Sequence, residues 1–390
     1  MIIIKTGLLS VLIMALTTGC LQAETKVIRN DDQDVYSRTT LESTKSDSIQ
    51  HILTEVVNDG KAPGMIAAII SSDSVLAIAS AGVRKAGSDV KFTTNDLVHL
   101  GSCTKAMTAT MLATLVAEGK MSWKMKLIDA IPSLKHEIHP DFHKITLWQL
   151  LTHRAGIQKN VKNWAAHSNK EIKARRLMIL QDNLKKPSGY TRGEFNYSNF
   201  GYMIAACMAE NITGQSWENL MIQRVFEPLE MTTAGFGAPG SDKLIDQPWG
   251  HEKSWNKWKP SYEDTPAALG PAGRIHCSIE DWAKFLALQL NNENPILEKK
   301  YLDKLIEPTG FYAAGWGVAN ETDQPWAKGI ALLHSGSNAV WYCSVTVAPG
   351  LNRAYLVVTN SRDFGVTGEL CNEVLRELVR MDLYFVQSDS

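Results

Sequence analysis

The chain has 390 residues, 44% of them apolar, and a formal net charge of -1. That length and apolar share fill a large core, in one α/β unit or in two lobes, and exclude a disordered or fibrous chain. A balanced charge with no basic run gives no electrostatic basis for binding nucleic acid.

Residues 1–23, MIIIKTGLLSVLIMALTTGCLQA, place one lysine ahead of an apolar core and then small residues, the pattern of an export signal. The apolar run is shorter than the roughly 18–20 residues a spanning helix needs, so membrane contact is expected only through a lipid anchor. Leu16-Thr17-Thr18-Gly19-Cys20 resembles a bacterial lipobox with Cys20 as the lipidated residue, and cleavage after Ala23 is the alternative. Residues 24–47 are polar and aperiodic, which predicts a tether. The expectation is a periplasmic or cell-envelope protein whose folded domain covers 48–385.

Along that domain, Ile49, Ile52, Leu53, Val56 and Val57 give a helical period closed by Gly60 and Pro63. MIAAIIS and SVLAIASAG read as two strands of a hairpin turning at Ser72-Asp73. The run GSCTKAMTATMLATLVAEGK, residues 101–120, predicts a buried helix. Helical periods recur at 127–131, 146–153, 170–184, 200–211, 216–226 and 279–290, with a Trp-rich, loop-like passage before the last of them. From Gly315 the pattern changes: GWGVAN, IALLHSG, WYCSVTVAP and RAYLVVTN read as antiparallel strands, followed by a closing amphipathic helix over 365–383. The fold class expected is α/β (α+β): an antiparallel sheet from 48–100 and 312–385, flanked by helices, with a mostly helical lobe inserted over 101–311.

Ser102 and Lys105 stand three residues apart at the start of the buried helix, a spacing that stacks amine over hydroxyl. A serine hydroxyl becomes a useful nucleophile only beside a base, and burial lowers a lysine's pKa towards that task. S-x-x-K also occurs at Ser88 to Lys91 and at Ser254 to Lys257, but neither of those matches opens a buried helix. Cys103 is a rival nucleophile by position, yet adjacent helical residues point about 100° apart, so it should face away from Lys105. The five cysteines beyond Cys20 fit no zinc or disulfide pattern and are expected to be buried free thiols.

Two more polar motifs accompany the first: Tyr197-Ser198-Asn199 before a helix, and His334-Ser335-Gly336 on a strand. With S-x-x-K they resemble the signature of the serine β-lactamase and penicillin-recognising enzyme superfamily, closest to its class C branch with the related DD-peptidases and esterases. ITLWQLLTHRAGI, VFEPLEMTTAGFG, GPAGRIHCSIEDWAKFL and GWGV resemble family landmarks in family order, so the likeness covers nearly the whole domain.

The resemblance implies Ser102 as acylated nucleophile, Lys105 as its proton acceptor and Tyr197 as second member of the base pair, its phenol either lowered by a nearby ammonium or relaying a proton. It implies Asn199 contacting substrate or Lys105, and His334 in place of the third-motif lysine, followed by Gly336. Backbone N–H groups of Ser102 and Ser337 would form the oxyanion hole, and Gln158 would meet a substrate amide. The reaction implied is hydrolysis of an amide or ester through an acyl-enzyme, without metal or organic cofactor, on a small molecule or peptide such as cell-wall peptide. His334 departs from the main β-lactamase pattern, and residues 276–352 hold no arginine to clamp a substrate carboxylate. Two rival readings are a catalytically silent binder of cell-wall peptide or a partner, and a metallohydrolase built on His136, Glu137, His139 and His143. The spacing H-E-x-H and Pro140 argue against the second.

Overall fold

The computed structural model describes residues 31–255, 257–290 and 295–388; the expected export signal and the expected lipidation site Cys20 lie outside the described residues. Strands β1 (Gly64–Ile70) and β2 (Val75–Gly82) form the expected hairpin. Further on come β3 (Val98–His99), β4 (Gly235–Phe236), β5 (Gly250–Ser254), β6 (Lys257–Ser261), β7 (Ile275–Cys277), β8 (Gly317–Ala319), β9 (Ala331–Ser337), β10 (Tyr342–Ala348) and β11 (Arg353–Thr359). The main sheet is antiparallel, in the order β2-β1-β11-β10-β9-β8. Its first and last strands in sequence therefore meet at β1 and β11, as the split in the sequence pattern predicts.

The helices are α1 (Asp31–Asn58), α2 (Thr104–Ala117), α3 (Leu127–Ala130), α4 (Leu147–Leu151), α5 (Ile172–Asn183), α6 (Asn199–Thr213), α7 (Trp217–Met221), α8 (Gly270–Gly273), α9 (Ile279–Ala287), α10 (Lys299–Ile306) and α11 (Thr367–Ser388). All residues of β1 are buried because both sheet faces are covered. Met65, Ala67 and Ile69 join Leu53 of α1 and Leu378 of α11 in one core. Ile66, Ala68 and Ile70 join Met107 of α2 and the helical lobe in the other. Arg176, fully buried, ties α5 to Glu210 of α6 and Glu218 of α7 within that lobe.

Two expectations fail. The segment expected to be an aperiodic tether is helical from Asp31 onward, so α1 begins well before Ser48. Its polar sequence hides a long-range reason for order: Lys45 is buried against Asp382 of α11 at 2.8 Å, and Asp382 also accepts from Arg353 and Tyr355, each at 2.9 Å. The Trp-rich passage is likewise not all loop, for β5 and β6 pair there, Ser254 opposite Lys257. No apolar alternation announces that hairpin, since Glu252 and Lys257 are exposed.

His251 of β5 is a buried neutral imidazole. Its Nδ1–H donates to the Asn360 carbonyl at 2.7 Å, and its Nε2 accepts from the Ala86 N–H at 2.9 Å. Burial lowers its pKa from 6.5 to about 4. Below pH 6.5 the unfolded chain takes up a proton that the folded chain refuses. Stability should therefore fall from pH 6.5 down to about 4, by about 1.4 kcal/mol per pH unit from this group. Urea midpoints at pH 7.5 and 4.5 should show that drop in the wild type and a smaller one in His251→Gln; an equal drop would remove His251 as its source.

Candidate active site around Ser102

The nucleophile motif sits where the small sheet β3-β7-β4 hands the chain to α2. Ser102 occupies a 3-10 turn, Gly101–Cys103, just before the helix, and Cys103 takes the N-cap position. The turn is held from several sides. Leu100 N–H donates to the Ile275 carbonyl at 2.9 Å, Ile275 N–H to Thr104 Oγ1 at 3.1 Å, and Gly101 N–H to His99 Nδ1 at 3.1 Å. His99 Nε2 lies 2.8 Å from Asp264, whose carboxylate also accepts from Arg274 at 3.0 Å and Asn338 at 3.1 Å. Asp264 thus couples the turn to the residue that follows β9.

Gly101 adopts φ +48°, and a Cβ there would strike the Ser337 backbone nitrogen. Gly336 is as constrained: a Cβ on it would meet the Leu100 carbonyl oxygen and lie 2.8 Å from Cys343 Sγ. Two glycines therefore let the end of β9 lie directly against the Ser102 turn. That contact brings the backbone of Ser337, expected to supply an oxyanion donor, beside Ser102, the expected nucleophile.

Lys105 is wholly buried, and three oxygens surround its Nζ: Ala272 O at 2.7 Å, Asn199 Oδ1 at 2.8 Å and Ser102 Oγ at 3.1 Å. Burial pushes its amine well below the ordinary lysine range, Lys159 adding to the effect and Cys103 opposing it. A neutral amine has two N–H donors and one lone pair. Asn199 and Ala272 take the two donors, which leaves the lone pair for the Ser102 hydroxyl proton.

Tyr197-Ser198-Asn199 forms the entry to α6. Ser198 is the N-cap, its Oγ accepting from Gly201 N–H at 2.9 Å, so Asn199 is free to face Lys105. Asn199 Nδ2 donates to Asn160 Oδ1 at 2.8 Å, which fixes which way its amide points. The Lys105 nitrogen stands 4.8 Å from the Tyr197 ring centre, and the Ser102 side chain is near enough to act on the Tyr197 phenol. One branch of the sequence reading is corrected here. Burial raises the Tyr197 phenol above its ordinary value instead of the ammonium lowering it. A phenol so raised keeps its proton and can relay or donate it, which leaves the buried amine as the group suited to act as base.

On β9, His334 Nδ1–H donates to the Ser335 carbonyl at 2.8 Å, so Nε2 accepts from the Tyr312 hydroxyl at 3.0 Å. Burial, with Lys105 adding to it, lowers its pKa to about 3, so the third motif presents a neutral ring where a lysine would bring charge. Gln158 goes elsewhere than expected: its Nε2 donates to Asn183 Oδ1 at 2.8 Å, in the wall of a neighbouring groove. Cys103 turns from the site, its Sγ 3.6 Å from Cys343 Sγ, and burial raises its thiol well above the ordinary value. The five described cysteines are buried free thiols, as expected.

Three contributors escaped the sequence reading. Tyr312 and His153 pack with Tyr197 in one aromatic cluster, the His153 ring 4.3 Å from Tyr197 and 4.7 Å from Tyr312. His153 Nδ1 accepts from the Ser198 N–H at 3.0 Å, holding the turn that carries Tyr197. The third is the Ala272 carbonyl; GPAGRIHCS stood out as a landmark, but no side chain marks a backbone acceptor. Among the described residues, no group of three or more His, Cys, Asp and Glu side chains is arranged to hold a metal ion, the His136 to His143 stretch included.

The antiparallel sheet flanked by helices, with its inserted helical lobe and three converging motifs, is the fold of the β-lactamase and penicillin-binding protein superfamily. The family described as Beta-lactamase matches residues 49–380, and the chain belongs to it. It is 24% identical over 345 residues to Protein flp of Staphylococcus aureus (strain N315), covering 83% of this chain and 64% of flp's length. It is 23% identical over 344 residues to Penicillin-binding protein 4 of Amycolatopsis lactamdurans, covering 81% of this chain and 85% of that one. The D-amino acid amidase of Ochrobactrum anthropi SV3 superimposes with a TM-score of 0.70 at 18% identity, over 87% of this chain and 99% of the amidase. The octameric penicillin-binding protein homologue of Pyrococcus abyssi gives 0.68 at 21% identity, over 90% of this chain and 77% of that one.

Proposed function

We propose that this chain is a serine hydrolase that cleaves amides or esters through an acyl-enzyme. The observation that carries the reading is the wholly buried Lys105, hydrogen-bonded to Asn199 and to Ala272, with Ser102 Oγ at 3.1 Å. The Ser102 proton passes to Lys105 Nζ as Oγ bonds to the substrate carbonyl carbon. The carbonyl oxygen, now anionic, is held by the N–H groups of Ser102 and Ser337, each contributing about 3 kcal/mol to the transition state. On collapse the bond to the leaving nitrogen or oxygen breaks, and that atom takes a proton from the Lys105–Tyr197 pair. Water then repeats the sequence, releasing the acid and restoring Ser102. The penicillin-binding proteins and the amidase among the relatives support a substrate class of peptides, D-amino-acid amides, lactams and simple esters. The leader pattern over 1–23 and the lipobox-like Cys20 support a place in the cell envelope.

A fluorophosphonate probe followed by mass spectrometry of the adduct tests the reading. Labelling is expected at Ser102 and is expected to vanish in Ser102→Ala. An adduct on Cys103, or none on a folded chain, would contradict it.

A further inference from the structure

The site has an uneven distribution of charge between its two walls. The strand wall presents the neutral His334, and no arginine occurs from residue 276 to 352. The opposite wall is the segment 157–162, pinned against the start of α6. The Lys159 carbonyl accepts from Asn199 N–H at 2.8 Å and from Phe200 N–H at 3.3 Å, and Asn160 Oδ1 accepts from the Asn199 side chain. Lys159 is therefore anchored by its backbone to the residue that touches Lys105, while its side chain is exposed. Among the described residues it forms no ion pair.

The same wall continues into a groove of about 540 Å³ whose lining includes Gln158, Lys162, Asn183, Lys186 and Ser188. Asn183 braces it, accepting from Gln158 Nε2 and from Lys162 N–H, each at 2.8 Å. Asp182, the carboxylate of this lining, is already engaged by Lys185 at 2.9 Å and His167 at 2.8 Å, whereas Lys162 and Lys186 form no ion pair among the described residues. The surplus charge along this wall is positive. An unpaired cation on this wall offers a substrate carboxylate a partner, and it also works against protonation of Lys105.

We propose that Lys159 recognises a carboxylate on the half of the substrate lying along the Asn199 wall, so that the enzyme prefers esters and amides of acids bearing a second, free carboxylate. The groove beyond Gln158, with Lys162 and Lys186, receives the continuation of longer anionic substrates such as acidic peptides. The assignment rests on the hydrolase reading above and names its substrate class.

The test compares two substrates with the same leaving group on the full chain: the mono-4-nitrophenyl ester of glutaric acid, which carries a free carboxylate, and 4-nitrophenyl pentanoate, which does not. At low salt the wild-type ratio of kcat/KM, acid ester over neutral ester, is expected to exceed unity by about fivefold to tenfold and to shrink as salt is raised. Lys159→Glu should bring that ratio below one, mainly through KM for the acid ester. Lys162→Gln with Lys186→Gln should lower it less, because the glutaryl chain is short. A wild-type ratio near one, a ratio unmoved by Lys159→Glu, or a larger loss in the groove pair than at Lys159 would overturn the assignment while the hydrolase reading stood. Failure of a folded chain to turn over either ester would overturn both.

Discussion

Lys105→Ala should lower kcat/KM by about 10²- to 10⁴-fold at pH 7, the range expected when a positioned base is lost. The reasoning is electrostatic. Burial lowers the Lys105 amine, so its neutral fraction exceeds that of an exposed lysine, which would be almost fully charged. Protonation of that amine silences it, so wild-type kcat/KM should climb with pH along a limb set by Lys105, and the limb should disappear in the variant. Lys105→Arg should rescue nothing, since a guanidinium keeps its proton. Thermal melts must accompany the kinetics, because Asn199 and Ala272 lose a partner. A folded Lys105→Ala chain that keeps a tenth of wild-type activity, with the limb unmoved, would defeat the assignment of the base.

Gly336→Ala ranks second. A methyl group there meets the Leu100 carbonyl and the Cys343 sulfur, so the end of β9 must move off the Ser102 turn. The Ser337 N–H moves with it, and loss of one oxyanion donor costs about 10²- to 10³-fold in kcat. Acylation rates with 4-nitrophenyl acetate should fall accordingly, while far-UV circular dichroism stays close to wild type. Unchanged acylation would show that Ser337 does not hold the oxyanion. Gly101→Ala crowds the same junction from the other side, its methyl group meeting the Ser337 backbone nitrogen, and adds the strain of φ +48°.

Much of the sheet was legible in the sequence because its strands are buried on both faces and read as continuous apolar runs, as at Gly64–Ile70 and Arg353–Thr359. Ser102 and Lys105 were legible because a helical period put them on one face. Polar elements stabilised from a distance were not. The extent of α1 depends on Lys45 reaching Asp382, and β5 pairs with β6 in a hairpin of mixed polarity. Within the site, the missing pieces were a backbone carbonyl at Ala272 and an aromatic at Tyr312 with no motif around it. The state of Tyr197 was misjudged in one branch because burial depends on packing, and packing is absent from a motif.

The oxygen atoms around Lys105 come from stretches 3, 94 and 167 residues away along the chain. No single local segment assembles that cage. A half-finished polypeptide, with the insert undocked or the GPAG turn out of place, would leave Lys105 in water with an ordinary, charged ammonium and Ser102 as inert as any surface alcohol. On the hydrolase reading, then, the Ser102–Lys105 pair becomes reactive only once the last of these tertiary contacts closes.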